Sequence, residues 1–379
     1  MPTKVMIGLD FIGLNFPAAL YTIQQWWTYA SRSDEHVCTF GISNFCERGG
    51  GLPGAHDFTP LDALKTISAF VPSEQIANWT SEIDSELLTQ LDMNGVQSRP
   101  FYSQFNYGSV VNRLLLLASA RDCKYLVRVD PGTLPPMDKS FAELMGEHEA
   151  EINSNRHAVV SRQYANRLAL RDIFVRQGLE DKHARKVKEF TGIDVRAQVT
   201  GGAMLTFRTP GTPAVCFPAG AGLTLVWASD DGIYRVLDET KLDSKMFRLN
   251  PVERFDAVGK PKSPKEYYRG ILGAVYLKAI RDGGNMDTVR GKADSFIKEL
   301  ADEVLDPKKC SIIDPAWRST FVSNEIAPEE FVEAIRKGWE NHRKLSSEWE
   351  KICTILGPVI ERETSANIRL HLDAAVRRE

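Results

Sequence analysis

Residues 124–135 read KYLVRVDPGTLP, and this stretch decides the fold class. Lys124 to Val129 alternates like a short strand, and Asp130-Pro131-Gly132 ends it with an acid and a forced turn. The apolar segment from Val110 to Ala120, just before it, has the composition of a helix. A helix that leads into a strand ending in an aspartate is typical of a sheet covered by helices.

The chain before this stretch alternates between strand-like and helix-like segments, which predicts a largely parallel sheet. The predicted strands are Val5 to Phe11 and Val37 to Ile42, and the predicted helices start at Pro17 and at Thr59-Pro60. Between them, the glycine-rich segment from Cys46 to His56 indicates a loop.

After this stretch, the pattern of predicted elements changes near residue 240 from mixed helices and strands to mostly helices. Up to that point, the pattern predicts helices at Asp138 to Asn153 and Ser161 to Arg176, and strands at Val199 to Phe207 and Leu223 to Trp227. Beyond it, most segments have helical spacing: 263–283, 286–304, 328–355 and 359–378. We therefore expect an α/β domain over residues 1–240 and a mostly α-helical C-terminal region over residues 241–379.

The composition and net charge limit the classes of function that this chain can have. The chain has 379 residues, 43% of them hydrophobic and 26% charged, with a formal net charge of -3. These values fit a folded globular protein and lack the basic excess that nonspecific binding to nucleic acid requires. Asp10 interrupts the first apolar run, and no later run reaches transmembrane length, so we expect a cytoplasmic protein without membrane insertion. The scattered cysteines form no CxxC pair, which favours reduced, buried thiols.

The segment from Asn106 to Arg113, followed by the apolar helix and Tyr125 to Pro135, resembles the nucleotide-sugar half of GT-A glycosyltransferases. In that family, a glycine-containing loop and a helix start precede a strand that ends in an Asp-x-Asp motif. The resemblance implies a Rossmann-like GT-A sheet flanked by helices and a nucleoside diphosphate sugar donor, with UDP as the first candidate. It also implies that Asp130 binds either a divalent cation, Mn2+ or Mg2+, or the ribose of the nucleotide. By the same resemblance, the residues that line the nucleotide pocket are Asn106, Gly108, Asn112 and Arg113.

The motif departs from the family pattern at its second aspartate, where this chain has Gly132. Metal dependence is therefore open, and Arg113 or Arg128 could hold the diphosphate in place of a cation. Arg248 could do the same from a downstream segment. Asp130 also has a simpler interpretation as a turn residue before Pro131, because Asp, Pro and Gly all favour turns.

A second set of candidates lies around residues 200–231. Gly201-Gly202 would let a sugar approach the backbone, and Trp227 would offer an aromatic face for it. Asp230 and Asp231 are adjacent carboxylates, and mutual repulsion can raise the pKa of one of them into a range suited to base catalysis. A strand bulge at the glycines and a turn at the aspartates remain alternatives.

The resemblance thus implies a glycosyltransferase that moves a sugar to a hydroxyl acceptor. Inversion with Asp230 or Asp231 as base is the preferred mechanism, and a retaining mechanism is the alternative. The donor base and the acceptor are not encoded in any recognisable motif. A nucleotidyltransferase of related fold, and an inactive nucleotide-binding or scaffold protein, are the alternatives. Trp339 and Trp349 in the C-terminal region could either pack on the catalytic domain or form a homo-oligomer interface.

Overall fold

The structure is a computed structural model that describes residues 1–10, 16–43, 64, 66–79, 81–101, 107–154, 159–164, 204–217, 246–252, 276–277, 279–280, 283–285, 287–291, 295 and 329–376. All structural statements below concern these residues.

A seven-stranded sheet forms the centre of the described structure, in the order β3-β2-β1-β4-β6-β5-β7. β1, β2, β3 and β4 run parallel, β6 is antiparallel to β4 and β5, and β5 and β7 are parallel. The strand bounds are Thr3–Asp10 (β1), His36–Ser43 (β2), Ile76–Asn78 (β3), Tyr125–Val129 (β4), Val159–Tyr164 (β5), Met204–Arg208 (β6) and Met246–Val252 (β7).

Helices cover both faces of the sheet. The central strands carry apolar side chains on each face, and burying both sets requires helices on both sides. On one face, here called the α1 face, Val5, Ile7 and Leu9 pack with α1 and α4. On the other, the α3 face, Met6 and Leu126 pack with α2, α3 and α5. The helix bounds are Phe16–Ala30 (α1), Ser81–Met93 (α2), Tyr107–Ala120 (α3), Phe141–Asn153 (α4) and Glu329–Val376 (α5).

The strand order creates a switch point at β1. From β1 the chain builds outward to β2 on one side and returns to β4 on the other. In open α/β sheets, ligands bind outside the carboxyl ends of the strands at such a point. The residues at this edge are Asp10, Ser43, Asn78 and Val129, followed by Asp130.

The expected fold class, a Rossmann-like α/β sheet flanked by helices with a helical C-terminal region, is confirmed. One predicted helix is wrong at its start, since Ser161 lies in β5 and pairs with Leu205 of β6. Val159 and Val160 are both buried because this strand is covered on two faces, and such a strand has no alternating pattern. The remaining residues predicted for that helix, 165–176, lie outside the described part.

The C-terminal segments predicted as two helices form the single helix α5, which continues through Gly357 and Pro358. A helical proline removes one main-chain hydrogen bond, and here it does not end the helix. β7 lies beyond residue 240 yet belongs to the same sheet as β1. The domain division at residue 240 stays a prediction.

Helix α5 is packed onto the sheet domain through side-chain contacts with two loops. Asn341 accepts from the main-chain N–H of Arg99 and donates to its carbonyl, both at 2.8 Å, and Trp349 Nε1 donates to Pro210 O at 2.7 Å. Trp349 is buried in the same hydrophobic cluster as residues of α2 and α3, so the packing interpretation is confirmed for this residue. Trp339 is buried as well. A homo-oligomer through the C-terminal region stays a prediction.

The described cysteines, Cys38, Cys123, Cys216 and Cys353, are buried free thiols, as expected. Burial raises the pKa of the Cys38, Cys216 and Cys353 thiols to about 12. Among the described helices, none combines the length and the apolar composition that crossing a bilayer requires.

Candidate functional site

The residues after β4 form a tight turn at the carboxyl edge of the sheet. The Thr133 main-chain N–H donates to Asp130 O at 3.1 Å, which closes a four-residue turn over Pro131 and Gly132. Gly132 has a φ of 92°, a conformation that a residue with a Cβ adopts only under strain. Proline followed by a left-handed glycine is the preferred sequence of a type II turn.

Helix α1 holds this turn from the other side. The Gly132 main-chain N–H donates to Thr22 Oγ1 at 2.7 Å, and Trp26 Nε1 donates to Thr133 O at 2.9 Å. Thr22 and Trp26 are both fully buried. The position of Asp130 is therefore fixed by two bonds between elements about a hundred residues apart in sequence.

Asp130 forms an ion pair with Arg128, through Arg128 Nη2 and Asp130 Oδ1. The Arg128 side chain is fully buried, whereas the Asp130 side chain keeps 18% of its surface exposed. The pair places a charged carboxylate at the surface of the sheet edge and its counter-charge directly below. A buried guanidinium of this kind requires the carboxylate, because an unpaired charge in the interior is costly.

The described residues offer a divalent cation only a partial protein site. No group of three or more His, Cys, Asp or Glu side chains in the described ranges could hold a metal ion. At Gly132, the family motif would have its second carboxylate. Mg2+, however, is commonly held by only one or two carboxylates together with substrate phosphates and water. Asp130 therefore fits as one ligand of a cation whose other ligands come from elsewhere.

Two buried polar side chains lie at the same edge of the sheet, on the ends of β2 and β3. Ser43 Oγ and Asn78 Oδ1 are buried, and neither atom has a hydrogen-bond partner among the described residues. Ser43 follows Ile42, which packs on the α1 face, so Ser43 lies on the α3 face. Asn78 pairs in register with Ile42 and lies on the α1 face. A buried hydroxyl without a partner is destabilising and is explained if it serves a ligand.

The start of α3 is packed under the segment 214–217. A Cβ on Gly108 would lie 1.8 Å from Val215 O, so only glycine allows this approach. Asn112 is fully buried, and its amide donates to Pro100 O at 2.7 Å and accepts from the Ala214 main-chain N–H at 2.7 Å. These contacts fix the main chain at Pro100 and at Ala214 against the start of α3.

Arg113 forms a two-pronged ion pair with Asp84 of α2. Arg113 Nε and Nη2 donate to the two carboxylate oxygens at 2.9 and 2.6 Å, and the guanidinium lies 4.8 Å from the Phe101 ring centroid. Trp79 Nε1 also donates to Asp84, at 2.6 Å. This arrangement joins α2, α3 and the end of β3.

A second buried charged network lies beneath α4, where Arg162 of β5 pairs in register with Met204, the β6 partner of Val129. Arg162 Nε donates to His148 Nε2 at 2.9 Å, so the proton of the neutral imidazole is on Nδ1, 2.8 Å from Thr206 Oγ1. Burial and the nearby Arg162 lower the pKa of His148 to about 3. On α5, burial lowers the pKa of His342 to about 4.

The other predicted site residues could be placed only in part. Arg248 lies in β7 in register with Ser161 of β5, and its side chain is not described. Asn106, Gly201, Gly202, Trp227, Asp230 and Asp231 lie outside the described residues.

Comparisons with known proteins give little beyond fold-level likeness. No protein-family model matches the sequence, and no curated protein matches it significantly. Solved structures similar to this chain include two mannosyltransferases. One is PcManGT from Pyrobaculum calidifontis, in complex with GDP-Man and Mn2+, at 12% identity and a TM-score of 0.40 over 90% of this chain and 88% of that chain. The other is Ktr4p from S. cerevisiae, at 12% identity and a TM-score of 0.23 over 47% and 46%. At these scores the likeness carries no functional argument.

Sequence reasoning overlooked Thr22, Ser43, Asn78 and Asp84. Ser43 had a usable signal, since it ends a predicted strand just as Asp130 does. Thr22 and Asp84 had none, because each contacts a candidate residue far away in sequence, at separations of 110 and 29 residues.

Proposed function

We propose that this protein is a glycosyltransferase that binds a nucleoside diphosphate sugar at the carboxyl edge of the sheet and transfers the sugar to a hydroxyl acceptor. The observation that carries the proposal is the position of Asp130. Its partly exposed carboxylate stands at the end of β4, next to the β1 switch point, on a turn locked by α1.

The electrostatics of the site suit a donor with a diphosphate. Arg128 supplies a buried positive charge beneath Asp130. A divalent cation bound at Asp130 would neutralise charge on the leaving diphosphate. The donor base would be decided by polar groups at the neighbouring strand ends, where Asn78 presents an unpartnered amide oxygen.

Gly108, Asn112 and Arg113, expected as pocket residues, support the proposal as positioning residues. Asn112 fixes the main chain at Pro100 and Ala214, and Gly108 allows the segment at Val215 to approach. Arg113 is buried and engaged by Asp84, and Arg128 is buried and engaged by Asp130, so neither guanidinium is proposed as a direct phosphate clamp.

The transfer step needs a base on the acceptor side. In the proposed single displacement, the acceptor hydroxyl oxygen bonds to the anomeric carbon as the bond from that carbon to the diphosphate oxygen breaks. The diphosphate leaves with the electron pair, and the hydroxyl proton passes to Asp230 or Asp231. Gly201, Gly202 and Trp227 would line the sugar side, and Arg248 would add positive charge near the diphosphate.

Nucleotide binding without turnover is the second candidate, and Gly132 favours it. The family motif has a carboxylate at this position, whereas here a left-handed glycine completes a turn. A protein that had lost catalysis would retain the Arg128–Asp130 pair and bind the donor without consuming it.

A thermal-shift screen tests the proposal first. The panel contains nucleoside diphosphates, UDP and GDP among them, and their sugars, each with and without Mn2+. A ligand that binds only the folded state raises the melting temperature by mass action. The same samples are then assayed for release of nucleoside diphosphate in wild type and in Asp230→Asn and Asp231→Asn.

The transferase proposal expects a shift with one diphosphate and turnover that falls at least a hundredfold in one of the two variants. A shift without turnover would favour the binding protein. The absence of any shift across the panel would contradict both candidates.

A further inference from the structure

Helix α3 starts at the carboxyl edge of the sheet. A Cβ on Gly8 would lie 3.0 Å from Leu114, and one on Gly41 would lie 3.4 Å from it, so Leu114 packs over these two glycines. Both glycines lie two residues before the ends of their strands, and α3 ends just before the amino end of β4. Tyr107 starts α3 seven residues before Leu114, which is about 10 Å of helix against about 7 Å for two strand residues.

Two chain segments, residues 98–101 and residues 214–217, contact the start of α3. Asn112 binds both, since its amide nitrogen donates to Pro100 O at 2.7 Å and to Ala214 O at 3.1 Å. Its amide oxygen accepts from the Ala214 main-chain N–H at 2.7 Å. The position of these segments therefore sets the position of the start of α3.

Helix α5 binds the same two segments. The Asn341 side chain is buried, and it pairs with both main-chain groups of Arg99 at 2.8 Å each. Its amide nitrogen also lies 3.6 Å from Cys216 Sγ. A Cβ on Gly338 would lie 3.0 Å from Cys216 O, so the absence of a side chain there lets α5 approach the second segment.

We infer that Asn341 of α5 is a positioning residue for the nucleotide site and acts through the 98–101 segment on the start of α3. Asn341 holds Arg99, and Asn112 holds the next residue, Pro100. The proline ring fixes φ near about −65°, so a displacement of Arg99 moves the Pro100 carbonyl with it. The inference rests on the proposed function, because the sheet edge that α3 borders is the proposed nucleotide site.

The polar character of Asn341 supports a positioning role. Hydrogen bonds constrain both distance and direction, whereas an apolar contact tolerates sliding. Asn341 uses both ends of its amide on the main chain of a single residue, and this fixes the orientation of that peptide as well as its distance from α5.

Calorimetric titration with UDP and with GDP, each with Mn2+, tests the inference. Asn341→Ala removes the hydrogen bonds to Arg99, and Pro100→Ala removes the φ constraint and serves if Asn341→Ala fails to fold. Asn153→Ala makes the same chemical change at an exposed position on α4. Ile152→Ala, also on α4, is the stability control because it empties a fully buried position.

Asn341→Ala should lower the affinity for the nucleotide that wild type binds by about threefold to thirtyfold, and Pro100→Ala should lower it by a smaller factor. Both α4 variants should retain the wild-type affinity. Urea denaturation curves identify conditions in which every protein is folded. A purely structural role of Asn341 would lower stability and leave the affinity of the folded protein unchanged.

Hydrogen exchange without nucleotide measures the effect on α3 separately. Loss of the hold on Arg99 should loosen the start of α3, and faster exchange is expected in Asn341→Ala within residues 107–117. Asn153→Ala should exchange there as wild type does. Exchange in residues 107–117 that is unchanged by Asn341→Ala and Pro100→Ala would overturn the inference.

The outcomes separate this inference from the proposed function. Faster exchange at the start of α3 in Asn341→Ala, with neither UDP nor GDP bound by wild type, would support the positioning of α3 and contradict the transferase. Nucleotide binding by wild type that Asn341→Ala leaves intact would do the reverse. An equal loss of affinity in Asn341→Ala and Ile152→Ala would also overturn the inference, because general destabilisation would then explain it.

Discussion

The main-chain N–H of Gly132 donates to Thr22 Oγ1 at 2.7 Å, and this bond joins the turn after β4 to helix α1. Both partners are buried, so the turn cannot exchange this bond for one to water. The carboxylate of Asp130 thus owes its position to a residue more than a hundred positions earlier. The sheet edge is a preorganised surface, which reduces the ordering cost of binding a ligand.

Thr22→Val keeps the shape of the side chain and removes the acceptor. The Gly132 N–H is then left buried without a partner, and we expect the free energy of unfolding to fall by about 1–3 kcal/mol. Nucleotide affinity should fall as well, because Asp130 is no longer fixed. Thr28→Val on the exposed side of the same helix is the control, expected to stay within about 0.5 kcal/mol. Urea denaturation compares the two, and equal losses would contradict the prediction.

Gly132→Ala introduces a Cβ at a φ of 92°, and Gly95→Ala does so at 66° where nothing lies within 4 Å of the new Cβ. Each change should lower the free energy of unfolding by about 1–2 kcal/mol. Only Gly132→Ala should weaken nucleotide binding, because Gly95 lies in the loop after α2. If calorimetry gave both variants the wild-type nucleotide affinity, the turn would not belong to the binding site.

Ser43→Ala should raise stability and lower affinity at once. The change removes a buried hydroxyl that has no partner among the described residues, and such a group costs about 1–3 kcal/mol. We expect a higher melting temperature in the free protein and a smaller shift on adding Mn2+ with nucleotide. A lower melting temperature with unchanged binding would assign Ser43 a purely structural role.

Stability should depend on pH through the two buried histidines. The pKa of His148 is lowered to about 3 and that of His342 to about 4, against about 6.5 in the unfolded chain. Below pH 6.5 the unfolded state therefore binds more protons, and stability falls as pH falls from 6.5 towards 4. The slope is about 1.4 kcal/mol per pH unit for each histidine.

His342→Leu isolates one of the two contributions. Urea denaturation at pH 7.5, 6 and 5 measures the free energy of unfolding of wild type and variant. The slope of this free energy against pH should be smaller in the variant by the contribution of one histidine, whatever the variant's stability at pH 7.5. An identical slope in wild type and variant would show that His342 titrates normally in the folded protein.

The sequence was sufficient to predict the order of elements near the N-terminus and the position of Asp130 at the end of a strand, because short apolar strands ending in polar residues are local patterns. It was insufficient to predict the order of the strands in the sheet. Asp10 and Ser43 end strands of the same kind, but their alignment with Asp130 depends on β1 lying between β2 and β4. Similarly, the Arg113–Asp84 pair joins two helices, and no local pattern predicts it.

The prediction that a helix starts at Ser161 was wrong for a related reason. β5 is buried on both faces, so Val159 and Val160 are both apolar, and the alternation that indicates a strand is missing. The segments 328–355 and 359–378, predicted separately, belong to one helix, because a proline weakens a helix without always ending it.

The most direct test of the central claim is calorimetric titration of the nucleoside diphosphate found in the screen into wild type, Asp130→Asn and Asp122→Asn, with Mn2+ present. The two variants carry the same chemical change at opposite ends of β4, and melting curves confirm that both are folded. We predict wild-type affinity in Asp122→Asn and at least about tenfold weaker binding in Asp130→Asn. Equal affinity in all three proteins would contradict the assignment of the nucleotide site to the carboxyl edge at Asp130.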